Sequence, residues 1–89
     1  MPMHNNGLTK LQEECGELIQ VCAKKSTYIN AEIHPDGSNM KDRLEEEIAD
    51  VLASCDLVLE LHGLDAMKIA NRRLSKLQIF KKWHEDEKS

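Results

Sequence analysis

Eighty-nine residues, three of them aromatic, with a formal net charge of -4, make at most one small domain spanning residues 1–89. Such a chain buries only about 60–65% of the surface it exposes when unfolded, so a lone monomer has a thin core and oligomerisation is the obvious way to enlarge it. The negative balance argues against a nucleic-acid binder held by phosphate contacts, and the most apolar stretch, 51–61, is interrupted by Asp56 and Glu60, so no membrane span is predicted.

Three segments carry helical periodicity. The first runs from about Leu8 to Lys25, with Leu8, Leu11, Cys15, Leu18 and Cys22 at spacings of three and four. Thr9 with Gln12 is a candidate capping box, and Asn6 is a candidate N-cap. Residues 26–38 form a long connection containing His34-Pro35-Asp36-Gly37, which is turn chemistry. A connection of that length is either mobile or part of a site. The second helix runs from about Met40 to His62 with a stripe of Leu44, Ile48, Val51, Cys55, Val58 and Leu59. Ser38 or Asn39 caps its start, and Gly63 stands where a left-handed residue ends it. The third starts after Asp65 and reaches about His84, its apolar face formed by Ile69, Ala70, Leu74, Leu77 and Phe80. No strand pattern is present, and the predicted class is all-α. Cys15, Cys22 and Cys55 fall on apolar faces and read as reduced thiols of a cytosolic protein. Cys55 and His62 supply two ligands, which do not make a zinc site.

Charge is distributed unevenly. Residues 1–60 hold five Lys/Arg and twelve Asp/Glu, net -7, whereas residues 61–89 hold seven and four, net +3. Within the acidic part, two i, i+3 pairs stand out. With Leu11 at zero on the first wheel, Glu14 falls near about 300° and Glu17 near about 240°. With Leu44 at zero on the second, Glu47 and Asp50 fall at the same two angles, about 300° and about 240°. The match reflects an internal echo, Leu11-Gln-Glu-Glu-Cys-Gly-Glu-Leu18 against Leu44-Glu-Glu-Glu-Ile-Ala-Asp-Val51. If the stripes face each other across an antiparallel pair, both acidic pairs lie along one margin of a shared core. Four converging carboxylates repel unless a cation sits between them. Hard divalent ions take such oxygen ligands, and Mg²⁺ combines one or two carboxylates with water and substrate phosphate. Glu13, Glu45, Glu46 and the Glu85-Asp86-Glu87 run read as solvated faces instead.

Glu13-Glu14-Cys15-Gly16-Glu17 followed by Glu47-Ile48-Ala49-Asp50 resembles the E-E-x-x-E … E-x-x-D signature of MazG-like nucleotide pyrophosphohydrolases, in the all-α NTP pyrophosphatase superfamily. The likeness extends from about Leu8 to Trp83. It implies two or three Mg²⁺ ions (Mn²⁺ substituting) held by Glu14, Glu17, Glu47 and Asp50, which are then the catalytic residues. It further implies water attack on a (d)NTP to give a nucleoside monophosphate and pyrophosphate. Glu13 matches the first signature position and is not expected to be a direct ligand. The family also implies self-association, as dimers or dimers of dimers whose three-helix chains complete four-helix-bundle cores.

In the family, basic residues after the acidic helices contact phosphate, and Arg72, Arg73 and Lys76 are the candidates here, with Lys25 at the end of the first helix. Arg73 falls within the apolar face of the third helix, where a snorkelling side chain or structural ion pair is the plainer reading. Tyr28, Asn30 and His34 are available to a base. The resemblance includes short stand-alone members carried by phages, whose site of action is the host cytoplasm. The alternative is a non-catalytic helical interaction module with solvated acidic faces and stripes that bind partner helices. A scaffold does not need the matched carboxylate register.

Overall fold

The computed structural model describes residues 6–27 and 39–88, the side chains of residues 26 and 27 excepted. Three helices follow in chain order: α1 (Leu8–Thr27), α2 (Met40–His62) and α3 (Ala66–Lys88). Among the described residues all regular elements are helical, as the periodicity predicts. The expected roles of Tyr28, Asn30, His34 and the His34–Gly37 turn lie outside the described residues.

The helix ends follow local chemistry. Asn39, in an extended conformation, accepts the Asp42 amide at 3.0 Å through its Oδ1 and starts α2. Asp65 does the same for α3, accepting the Lys68 amide at 3.0 Å. Gly63, with φ at 61°, ends α2 in the left-handed conformation. The Leu64 amide then reaches back to the Leu59 carbonyl at 3.0 Å, which satisfies a carbonyl the helix would otherwise orphan. At the start of α1 the expectation is corrected. Neither Thr9 nor Asn6 occupies the capping position. Gly7 does, its carbonyl accepting the Leu11 amide at 3.1 Å. Gly7 has φ of 85°, and a Cβ there would meet Leu57 Cδ2 at 3.2 Å. α1 also runs through Ser26 and Thr27, expected as loop, and α3 extends past His84, its last turns joined by Lys82–Asp86 at 3.8 Å.

α1 and α2 form the one extensive helix–helix contact among the described residues. Their seam keeps Leu11, Leu18, Leu44, Val51 and Val58 of the apolar stripes drawn from the wheels but is not centred on them. The seam is lined by Gly7 and, on α1, Leu11, Glu14, Leu18, Val21 and Lys25, and on α2 by Met40, Leu44, Glu47, Val51, Ser54 and Val58, with Cys15, Lys24, Arg43 and Leu59 partly withdrawn from solvent beside them. Both seam sets alternate by four and three, the spacing of helices packed along a common seam. Val21 (1% exposed), Met40 (0%), Ser54 (4%) and Val58 (8%) are the buried residues among them. The Ser54 hydroxyl, stranded in this seam, donates to the Val51 carbonyl at 2.8 Å. The seam is therefore rotated toward the acidic side of each helix. The opposite edge of each stripe, Cys22 on α1 and Ile48 and Cys55 on α2, is left exposed, as are Ile19 and Leu52 beside it.

α3 buries no residue at all. It approaches α1 and α2 near its start, where Ile69 and Arg73 line a cleft of about 320 Å³ with Leu11, Leu52, Cys55 and Leu59. Beyond it Leu74, Leu77, Phe80 and Trp83 are all exposed, Trp83 by 57%. The chain measures 41 × 35 × 14 Å. Since one helix with its side chains is about 10–12 Å across, the described residues form a single layer of helices. No helix among the described residues is long and apolar enough to cross a membrane.

Candidate metal centre

Antiparallel packing brings the two i, i+3 pairs together. One carboxylate oxygen from each of Glu14, Glu47 and Asp50 lies within 4.8 Å of the others. Glu17 adjoins both glutamates, and its charge and a side-chain hydrogen bond act on each of them. Three of the four acids expected from the sequence thus converge, with Glu17 beside them. Their placement differs from the expected margin, because Glu14 and Glu47 are seam residues, half-buried between the helices, whereas Glu17 and Asp50 sit outside them and are exposed.

The electrostatics of this arrangement are unbalanced. Glu14 Oε1 and Glu47 Oε2 are buried and have no hydrogen-bond partner. An ionised oxygen left in that state costs free energy, since its desolvation is not offset. Burial pushes the Glu14 carboxyl above its ordinary value, with Glu17 and Asp50 adding to the rise and Lys10 opposing it. Burial likewise raises Glu47, followed by the charges of Glu17, Asp50 and Glu14. The cation that opposes the rise at Glu14 is Lys10, whose Nζ is 3.9 Å from Glu14 Oε2 and 3.6 Å from Glu13 Oε1.

Two unpartnered buried oxygens, on Glu14 and Glu47, whose carboxyls are pushed up first by burial and then by the neighbouring acidic charges, fit a hard divalent cation. Its charge would supply what the surrounding side chains do not. The neighbouring acids behave differently: Glu13, Glu45 and Glu46 are exposed, as a solvated face requires.

A cavity of about 360 Å³ opens from this cluster, lined by Lys10, Glu14, Asp50, Ala53, Ser54 and Leu57. Lys10 was not singled out by the sequence. Its position four residues before Glu14, on the same helical face, was the available signal. The basic residues that were singled out are elsewhere in the chain. Arg73 lines the apolar cleft between α2 and α3, and Arg72 shares an open groove with Lys68. Lys76 sits 5.8 Å over the Phe80 ring, whose centroid is 5.3 Å from that of Trp83. Lys25 is half-buried at the far end of α1. None of the four lines the cavity that holds Glu14 and Asp50.

With this geometry in hand, comparison with known proteins identifies the family. The family model for the MazG nucleotide pyrophosphohydrolase domain matches residues 3–83, nearly the whole chain, and the chain belongs to that family. No curated protein and no solved structure gives a match.

Proposed function

We propose that this MazG-family chain forms, over residues 1–89, one catalytic domain of a homo-oligomeric, Mg²⁺-dependent nucleoside triphosphate pyrophosphohydrolase, which converts a (d)NTP to the (d)NMP and pyrophosphate. The observation that carries the reading is the convergence of Glu14, Glu47 and Asp50, with two buried carboxylate oxygens unpartnered. A cluster of that kind weakens the fold unless it is used, so a module with merely solvated acids does not account for it.

Glu14, Glu17, Glu47 and Asp50 would hold the ions. Bound Mg²⁺ would neutralise phosphate charge and lower the pKa of the attacking water. The residues do the rest. Seam packing holds Glu14 and Glu47 in fixed positions, so the acceptor oxygens are preorganised rather than gathered at each turnover. Asp50 and Glu17, being exposed, keep one side of the cluster open to substrate. A cluster carboxylate accepts the proton of the attacking water.

Self-association follows from the uncovered faces. α2 carries seven acidic and two basic residues, and α3 carries three acidic and seven basic, so the two helices are complementary in charge as well as both apolar. α3 of one copy laid against another copy would cover both helices. Arg72, Arg73 and Lys76 would then act on substrate phosphates across that interface, while Lys25 would act from its own chain. The setting is the cytoplasm, or the host cytoplasm for a phage-borne protein.

The test is pyrophosphate release from the eight common (d)NTPs with Mg²⁺ or Mn²⁺. Glu14→Gln and Asp50→Asn are expected to lower kcat by about 10³-fold or more and to leave the helical circular-dichroism signal intact. Normal turnover by either variant would dismiss this site.

A further inference from the structure

We propose that Lys10 binds the diphosphate end of the nucleotide and stabilises the pyrophosphate as it leaves. The proposal rests on the pyrophosphohydrolase reading above and adds to it the group that meets the leaving phosphates.

Lys10 and the carboxylate cluster share one cavity, in which, among the described residues, Lys10 is the cationic side chain and Glu14 and Asp50 are the acidic ones. The remaining lining, Ala53, Ser54 and Leu57, offers little to phosphate. The Ser54 hydroxyl is already spent on the Val51 carbonyl. A triphosphate brought to the carboxylates carries negative charge into a negative site, so the part of it outside the cluster needs a positive partner.

Lys10 lies one turn, about 6 Å, along α1 from Glu14. It also lies toward the end where Gly7 meets Leu57 and Val58, which places it up the cavity from the cluster. Its two ion pairs, 3.6 Å to Glu13 and 3.9 Å to Glu14, are longer than hydrogen bonds, so the ammonium is aligned by charge with its donors uncommitted. The pair with Glu13 is exposed on both sides and contributes little stability, so the pair with the mostly buried Glu14 carboxylate is the one that ties Lys10 to the site. When water attacks the α-phosphorus and the bond from it to the bridging oxygen breaks, the electron pair passes to the departing pyrophosphate. Lys10 then sits beside the growing charge.

The experiment compares wild type, Lys10→Met and Lys10→Arg in the intact oligomer. Steady-state kinetics are run alongside two calorimetric titrations, Mg²⁺ alone and inorganic pyrophosphate with Mg²⁺ present. The proposal expects kcat/KM of Lys10→Met to fall about 100-fold. Pyrophosphate should bind it about 10-fold more weakly, Mg²⁺ alone should bind at least as tightly as to wild type, and arginine should restore most of both losses. Unchanged kcat/KM and pyrophosphate affinity in Lys10→Met would overturn the proposal. So would a loss accompanied by weakened Mg²⁺ binding, which would make Lys10 a support of the cluster only. If wild type cleaves none of the eight nucleotides, the pyrophosphohydrolase reading fails. The pyrophosphate titration still decides for Lys10, since binding that depends on it upholds the contact and binding that ignores it, or no binding, refutes it.

Discussion

Dilution should unfold this protein. The chain exposes 7015 Å², whereas a compact protein of 10.2 kDa exposes about 5300 Å². Its radius of gyration of 16.0 Å likewise exceeds the roughly 12 Å of a compact chain of this length. The surplus is about 1700 Å², and if a second copy covers it the two together bury about 3400 Å², within the obligate range. Folding is then coupled to association, and each tenfold dilution lowers stability by about 1.4 kcal/mol. With an unfolding entropy of about 2.1 cal/mol/K per residue over the roughly 180 residues of a dimer, the melting temperature falls about 4 °C per tenfold dilution. Circular-dichroism melts from about 100 µM to about 1 µM should therefore shift by about 8 °C, with light scattering reporting no folded 10.2 kDa species. Leu77→Asp, which would place a charge twice in the proposed dimer interface, should cost about 3 kcal/mol or more and yield a largely unfolded chain. A folded monomer whose melting temperature ignores concentration would refute the reasoning.

The remaining predictions concern the site and its supports. Because the Glu14 and Glu47 pKa values are raised, the folded metal-free protein binds more protons than the unfolded chain above the ordinary value of 4.5, so its stability should rise as pH falls from neutral toward 4.5. Saturating Mg²⁺ should suppress that rise, and Mg²⁺ affinity should itself weaken over the same window; a metal-free melting temperature that falls on mild acidification would contradict the assigned repulsion. Gly7→Ala should destabilise by about 1–2 kcal/mol, because its φ of 85° is unfavourable for alanine and the added Cβ meets Leu57 at 3.2 Å; chemical denaturation at fixed protein concentration measures it. Asn39→Ala removes the α2 cap and should cost about 1 kcal/mol by the same assay.

Much of this was legible in the sequence where local chemistry decides. Asn39, Asp65 and Gly63 cap as their types require, and α2 has the expected bounds. Glu14, Glu47 and Asp50 converge, with Glu17 beside them, because each pair is repeated at one angle to its stripe. What the wheels missed is which side of each stripe becomes the seam. Apolar patterning selects a face that wants covering, not the partner that covers it. Here α1 and α2 meet along the acidic edge, with Val21 and Ser54 buried although neither was in a stripe, while Ile48 and Cys55 are left for another surface. The basic residues of α3 were chosen by position in the chain, whereas Lys10 is placed by the cavity it shares with Glu14. α3 outran its expected end because helix-favouring residues and the Lys82–Asp86 pair carry it on.

The position of Glu14 and Glu47 inside the seam has a consequence for alignment. Sliding α1 by one turn would set Glu14 beside a different α2 seam position, Leu44 or Val51, and would part it from Glu47. Each slipped arrangement would hold two isolated buried charges, each costlier than a pair that one cation can serve. The acids that make the matched pairing less stable than an all-apolar seam make every mismatched pairing worse still. They thus act as a key that admits a single registration of the helices, in the way a lone polar residue does in a zipper of leucines.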